Sequence, residues 1–136
     1  MAESRPLVLV HSDEEPVGQA LRFALALEGV EVRLCASESL LLARLDLSLA
    51  VCLVLRHAPP RLDGCALAAL ARRAGAVARV VLLAPCLSPQ MQAQARAAGV
   101  WLVLETPVQG DVLVESIVAC LPGRLGYVES LKGQTG

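Results

Sequence analysis

The sequence has few aromatic residues: one Phe, one Trp and one Tyr among 136 residues. Its apolar share of 55% depends mainly on Ala, Leu and Val, which favours close packing of helices on a sheet over an aromatic platform for a ligand. No apolar run approaches the roughly 20 residues of a membrane-spanning helix. Residues 1–6 also lack the pattern of a secretory signal peptide. We therefore expect a cytoplasmic protein.

Paired cysteines and a strong net charge are also missing. The five cysteines are widely spaced with no C-x-x-C pair, so we expect reduced, buried thiols and no disulfide framework. A net charge of −1 gives no basic footprint for nucleic acid or for an anionic membrane. The length suits one domain with an ordinary core. We predict this domain at residues 1–122, followed by a tail or the start of a linker at 123–136.

The most informative pattern is an apolar run at residues 49–55, closed by Arg56 and then by a Pro-Pro and an Asp-Gly pair. A continuous run of this kind is typical of a strand that is buried on both faces of a parallel sheet. Four further apolar runs alternate with helical patterns along the chain. The sequence therefore predicts an α/β fold with a doubly wound, five-stranded parallel sheet in the flavodoxin-like order 2-1-3-4-5.

Five positions follow or end the predicted strands, at the edge where parallel sheets bind ligands. Ser12 and Asp13 follow the first strand, and Arg56 follows the third. Ala84 and Thr106 end the fourth and fifth strands. Because the topological switch point lies between the first and third strands, we expect the first three of these residues to meet in one crevice. The other two should line its opposite side.

Three short motifs stand in order along the chain: H-S-D-E-E-P at 11–16, P-R-L-D-G at 60–64, and A-G-V at 98–100 followed by E-T-P-V at 105–108. With these motifs, about residues 5–122 resemble the response-regulator receiver (CheY-like) domain. The resemblance implies transfer of a phosphoryl group from a histidine kinase to an aspartate at the end of the third strand. It also implies that this aspartate and an acidic pair hold Mg²⁺, that a Thr or Ser and a Lys contact the phosphoryl group, and that the Thr106-Pro107 bond is cis.

This chain departs from the family at nearly all of those positions. The phosphoacceptor falls on Arg56, the acidic pair on Ser12 and Asp13, the Thr or Ser on Ala84, and the Lys on Thr106. A guanidinium has no nucleophilic oxygen, so Arg56 cannot accept a phosphoryl group. With one carboxylate left beside a fixed cation, we expect Mg²⁺ binding to be weak or absent and no other cofactor. We also expect an ion pair between Asp13 and Arg56 to fill the metal position.

The fourth helix, fifth strand and fifth helix form the face through which receivers meet partners or dimerise, as the resemblance implies. The strand here is apolar, and an exposed apolar edge is either an interface or a liability. We therefore expect a protein partner, an output domain or a homodimer at this face, and no contact of this domain with nucleic acid or membrane. Trp101 has an alternative place beneath the fourth helix. The candidate contact residues are Met91, Trp101, Leu102 and Val103.

Three functions remain open at this point. The first is a degenerate receiver without enzymatic activity that signals through phosphorylation-independent protein contact. The second is a receiver phosphorylated on another acid, for which Asp63 is the nearest candidate. The third is a flavodoxin-like small-molecule binder, against which the acidic turn after the first strand argues because it repels phosphate. His11, His57 and Cys86 flank the predicted crevice, but their spacing is not that of metal ligands.

Overall fold

Strands and helices alternate along the chain as the sequence predicts. A computed structural model describes residues 5–11, 15–44 and 46–121. The elements in chain order are β1 (Leu7–His11), α1 (Glu15–Ala26), β2 (Glu31–Cys35), α2 (Glu38–Leu42), β3 (Cys52–Arg56), α3 (Gly64–Arg73), β4 (Arg79–Ala84), α4 (Pro89–Ala97), β5 (Leu102–Glu105) and α5 (Gly110–Val118).

All five strands lie in one parallel sheet in the order β2-β1-β3-β4-β5. The predicted flavodoxin-like topology is therefore confirmed. The register aligns Arg56 at the end of β3 with Leu83 of β4, and Leu83 in turn with Leu104 of β5. These residues therefore lie side by side at the carboxyl ends of β3, β4 and β5.

The sheet divides the core into two layers. Helices α1 and α5 cover one face, and α2, α3 and α4 cover the other. Successive side chains of a strand point to opposite faces, so each central strand contributes to both layers. In β3, Cys52 and Val54 pack toward α1 and α5, whereas Leu53 and Leu55 pack toward the other three helices. This alternation decides which functional positions can share a cavity.

Local signals in the sequence set several helix ends. The hydroxyl oxygen of Ser88 accepts a hydrogen bond from the backbone N–H of Met91 at 3.1 Å, which caps the first turn of α4. Ser37 caps α2 in the same way through the N–H of Leu40. Behind α4, Gly99 adopts a φ of 82°, a left-handed conformation in which a residue without Cβ is not strained. These residues fix where α2 and α4 begin and where α4 ends.

The predicted start of the third strand is wrong. Residues Leu47–Leu49 form a 3-10 turn, the side chain of Leu49 is 73% exposed, and β3 begins only at Cys52. An apolar run by itself does not distinguish a strand from a short helical turn, so the first residues of the run were assigned to the wrong element. Arg56 is accordingly the last residue of β3 and not the first residue beyond it. The predicted tail at 123–136, with the boundary at residue 122, lies outside the described residues.

Candidate functional site

Arg56 and Thr106 lie together at the carboxyl edge of the sheet. Arg56 is two residues beyond Val54, so the alternation of β3 places it on the face covered by α1 and α5. Thr106 follows β5 directly, and its backbone N–H donates to the carbonyl of Ala84 at 2.8 Å. The cis bond predicted between Thr106 and Pro107 is present. Arg56 and Thr106 therefore border the same crevice, as expected.

Both residues line a cavity of about 430 Å³, which we call the Arg56 cavity. Arg56 is half-buried there and makes further polar contact within the protein. No acidic side chain is among the lining residues that the structure describes. Six apolar side chains form most of the wall: Val10, Leu21, Val54, Leu83, Val108 and Leu113.

His11, which the sequence places beside the predicted crevice, is the other polar residue of this wall. It ends β1, its side chain is only 6% exposed, and it lines the Arg56 cavity. Its Nδ1 atom is buried and has no hydrogen-bond partner. A buried polar atom without a partner costs free energy, on the order of 1–3 kcal/mol. The signal that could have found this residue is its place at the carboxyl end of a central strand.

The structure does not place Ala84 in the Arg56 cavity, which corrects the expectation of a single crevice. Ala84 is one residue beyond Leu83 in β4, so it faces the opposite layer and packs in the core beneath α3 and α4. It lines a separate space of about 290 Å³ together with His57, Cys86 and Met91. The sheet itself separates the two cavities. Arg56 and Thr106 therefore do not share a pocket with Ala84.

Ser12 and Asp13 lie outside the described residues. Their predicted place in the crevice and the ion pair between Asp13 and Arg56 consequently stay predictions.

The loop between β3 and α3 is fixed by His57 and Asp63. The backbone N–H of Gly64 donates to Nδ1 of the buried His57 at 3.0 Å, and an antiparallel bridge joins Ala58 to Leu62. Because Nδ1 accepts this bond from a backbone donor, the neutral His57 ring carries its proton on Nε2. Asp63 is the N-cap of α3, and its Oδ1 accepts from the N–H of Ala66 at 2.9 Å. These contacts give Asp63 a structural role as a helix cap.

His57, Asp63 and Cys65 place one ligand atom each within 4.8 Å of one another, a grouping that the sequence analysis missed. Two of these atoms already accept hydrogen bonds, Nδ1 of His57 from Gly64 and Oδ1 of Asp63 from Ala66. Burial, and then the nearby Asp63 carboxylate, raises the pKa of the Cys65 thiol, which disfavours the thiolate that a metal requires. The geometry therefore fits a helix cap better than a metal centre.

Two of the four residues expected at an interface are buried. Leu102 is 5% exposed and packs with the layer of α1 and α5, and Met91 is 8% exposed and packs with the opposite layer. The expectation that Leu102 forms an exposed apolar edge is wrong, because Leu102 is buried in the core layer that includes residues of α1 and α5. Val103 and Trp101 are half-buried, and the Arg79 guanidinium lies 5.3 Å from the centre of the Trp101 ring.

Comparison with known proteins shows what this fold resembles. No protein-family model matches the chain, and no curated protein sequence is significantly similar to it. Solved structures do match. The chemotaxis protein CheY4 of Vibrio cholerae superposes with a TM-score of 0.75 at 19% identity, covering 87% of this chain and 100% of that protein. The receiver domain of the Francisella response regulator 1452 gives a TM-score of 0.73 at 20% identity, covering 85% and 95%.

A third match is a Burkholderia pseudomallei response regulator whose structure contains a phosphorylated aspartic acid, a calcium ion and citrate. It gives a TM-score of 0.70 at 22% identity and covers 96% of this chain and 75% of that protein. The structural neighbours are thus response-regulator receiver domains of the CheY-like type, and the chain has their fold. Among the described residues, no helix is both long enough and apolar enough to span a membrane.

Proposed function

We propose that this chain is a degenerate receiver of two-component signalling that acts through protein contact and without phosphorylation. The observation that carries the proposal is the position of Arg56. It ends β3, next to the switch point of a receiver-type sheet, where the family resemblance puts the phosphoacceptor aspartate. A protonated guanidinium offers no lone pair to attack a phosphoryl donor, so the position cannot perform that step.

The residues that would support phosphoryl transfer are also replaced. Ala84 has no hydroxyl and faces the opposite side of the sheet from Arg56. Thr106 supplies no cation in place of the family's lysine. Mg²⁺ binds through hard oxygen ligands, usually including one or two carboxylates, and a fixed positive charge in the Arg56 cavity opposes it. The residues present do not fit a bound Mg²⁺, and we propose no step that uses one.

The Burkholderia neighbour offers a contrast, since its structure holds a phosphorylated aspartic acid and a metal ion. We propose that the predicted pair of Asp13 and Arg56 takes the place of such a metal in this chain. The protein then has no phosphorylation-dependent switch and no enzymatic activity. Its signal is transmitted by contact with a protein partner or an output domain, or by a homodimer through α4, β5 and α5.

The direct test is phosphoryl labelling. The full chain is incubated with acetyl phosphate and Mg²⁺ and then analysed by intact-protein mass spectrometry, with a phosphorylatable CheY as the positive control. We expect no hydroxylamine-sensitive phosphoryl adduct on this chain. Titration with Mg²⁺ and beryllofluoride, followed by Trp101 fluorescence and by sedimentation, should likewise give no saturable change.

Asp63 is the matched variant for this test. The alternative of a receiver phosphorylated on another acid predicts an adduct on the natural chain that disappears in Asp63→Asn. That result would overturn the proposal. The geometry argues against it, because Asp63 caps α3, is largely exposed and does not line the Arg56 cavity. A flavodoxin-like binder is the remaining alternative, and bound flavin in the purified protein would reveal it by its yellow colour.

A further inference from the structure

We propose that a basic pocket beside β2 binds a compact oligophosphate, such as the phosphate chain of a nucleotide. The pocket has a volume of about 380 Å³, and its lining includes Arg5, Arg22 and Arg33. We call it the arginine pocket. This inference goes beyond the proposed function, because it assigns a small anionic ligand to a surface that the receiver resemblance does not involve. It stands or falls by ligand binding, whereas the proposed function stands or falls by phosphoryl labelling.

Three separate segments of the chain bring these arginines together. Arg5 precedes β1, Arg22 lies in α1, and Arg33 lies in β2. Strands β1 and β2 are neighbours in the sheet, with Leu7 aligned with Glu31, and α1 covers one face of both. The arginines are far apart in the sequence and line one pocket only because of this packing.

The positive charge of the pocket is not balanced by the described residues around it. Glu31 is the acidic residue of the lining, and its carboxylate pairs with the guanidinium of Arg33. In the part of the chain that the structure describes, neither Arg5 nor Arg22 forms an ion pair. The lining thus holds three guanidiniums against one carboxylate, although the whole chain has a net charge of −1. Like charges in one small pocket repel each other, and a bound anion would turn this repulsion into attraction.

The backbone of β2 supplies a further donor at the same place. The N–H of Glu31 donates to the carbonyl of Pro6 at 2.9 Å, toward β1. Successive N–H groups of a strand point to opposite sides, so the N–H of Val32 points away from β1. Because β2 is the edge strand of the sheet, no further strand lies on that side. Val32 also lines the arginine pocket, and its N–H can donate to a phosphate oxygen.

The form of the pocket favours an oligophosphate over an acidic peptide. Guanidiniums bind phosphate groups through paired hydrogen bonds and keep their charge at any working pH. Adjacent phosphate groups crowd several negative charges together, whereas carboxylates on one face of an extended peptide stand about 7 Å apart. The volume lies within the range of small-molecule sites, roughly 300–1,000 Å³. The rest of the described lining is apolar: Ala26, Val30 and Val32.

The test uses inorganic tripolyphosphate as the probe, in a metal-free buffer at constant pH and ionic strength. It is titrated into the full-length protein labelled with ¹⁵N and followed by NMR. We expect saturable shifts concentrated at residues 5, 22–26 and 30–33, which line or adjoin the pocket. Inorganic phosphate should bind about tenfold more weakly, because it offers fewer charge-assisted hydrogen bonds. An absence of saturable shifts overturns the proposal, as do shifts confined to the residues of the Arg56 cavity.

ATP, adenosine and a hexaglutamate peptide identify the source of the phosphate chain. Equal affinity for ATP and tripolyphosphate supports a site for the phosphate chain alone. Tighter binding of ATP supports a nucleotide site in which the apolar lining contacts the nucleoside. Adenosine that binds as tightly as ATP overturns the proposal, because the phosphate groups would then contribute nothing. Tighter binding of hexaglutamate than of tripolyphosphate also overturns it and assigns the pocket to an acidic peptide.

Arginine variants locate the site. Arg22→Gln should weaken tripolyphosphate binding about threefold to tenfold, as expected for the loss of one charge-assisted contact at an exposed position. Arg96→Gln is the matched control, because Arg96 is also an exposed arginine of a helix but lies in α4, on the opposite face of the sheet. An equal effect of the two variants would indicate attraction to the whole protein surface and contradict the assignment. If Arg22→Gln does not fold, Arg5→Gln is compared with the same control.

Discussion

Gly64, the first residue of α3, is held so close to the end of β3 that the substitution Gly64→Ala should destabilise the protein. A Cβ atom added there meets the carbonyl oxygen of Arg56 at 2.7 Å and a methyl group of Leu82 at 2.5 Å. Leu82 can shift, but the backbone oxygen belongs to a central strand, so α3 must move. Overpacking of this kind costs about 1–3 kcal/mol. The same movement lengthens the bond from the Gly64 N–H to His57.

Gly110→Ala is the matched control, since Gly110 also begins a helix and a Cβ there meets no atom within 4 Å. Alanine at an open helical position stabilises a protein by up to about 1 kcal/mol, mainly by restricting the unfolded chain. Urea unfolding followed by circular dichroism should therefore shift the two midpoints in opposite directions, by about 1 M between them. Equal midpoints for the two variants would refute the argument from close approach.

Three further predictions concern thiols, charge and capping. Cys86 is the exposed cysteine, so Ellman's reagent should modify one thiol rapidly in the folded protein and all five in denaturant, and Cys86→Ser should abolish the rapid phase. Two hydrogen bonds from Arg44, at 2.7 and 2.8 Å, lower the pKa of Asp46. The stabilisation that the Asp46 carboxylate provides is therefore present above the ordinary carboxyl pKa and is lost as the pH falls through the lowered pKa. Asp46→Asn should lower the free energy of unfolding by at most about 1 kcal/mol at neutral pH, and should not change it in acid. Ser88→Ala removes the bond to Met91 and should cost about 1 kcal/mol in thermal unfolding.

Local chemistry made much of the fold predictable from the sequence. Ser37 and Ser88 each stand before a helical pattern, and both act as N-caps in the structure. The parallel sheet follows from alternating strands and helices with right-handed crossovers, and its order is one of the few that doubly wound sheets adopt. These features depend on residues that are neighbours in the chain, or on a topology with few alternatives. Sequence reasoning could therefore reach them.

The errors concern side chains whose environment is set by distant elements. Leu49 and Leu102 are equally apolar in the sequence, yet Leu49 is 73% exposed and Leu102 is 5% exposed. Leu49 lies in an exposed turn, whereas Leu102 is buried in the core layer that includes residues of α1 and α5. His11 is similar, because its burial beside residues of α1 and α5 depends on elements that are distant in the chain. No pattern of neighbouring residues records such an arrangement.

The replacements at the family's site positions offset one another in charge. A receiver crevice, as the family resemblance implies, sets three carboxylates against a lysine and Mg²⁺. An arginine in place of one carboxylate alone would leave two cations and a metal ion facing two acids, and such an excess of buried charge is costly. Here Ser12 removes a second acid and Thr106 removes the lysine, so the sequence leaves Asp13 to balance Arg56. Because the remaining charges are few and opposite, we expect this position to need no metal ion for neutrality.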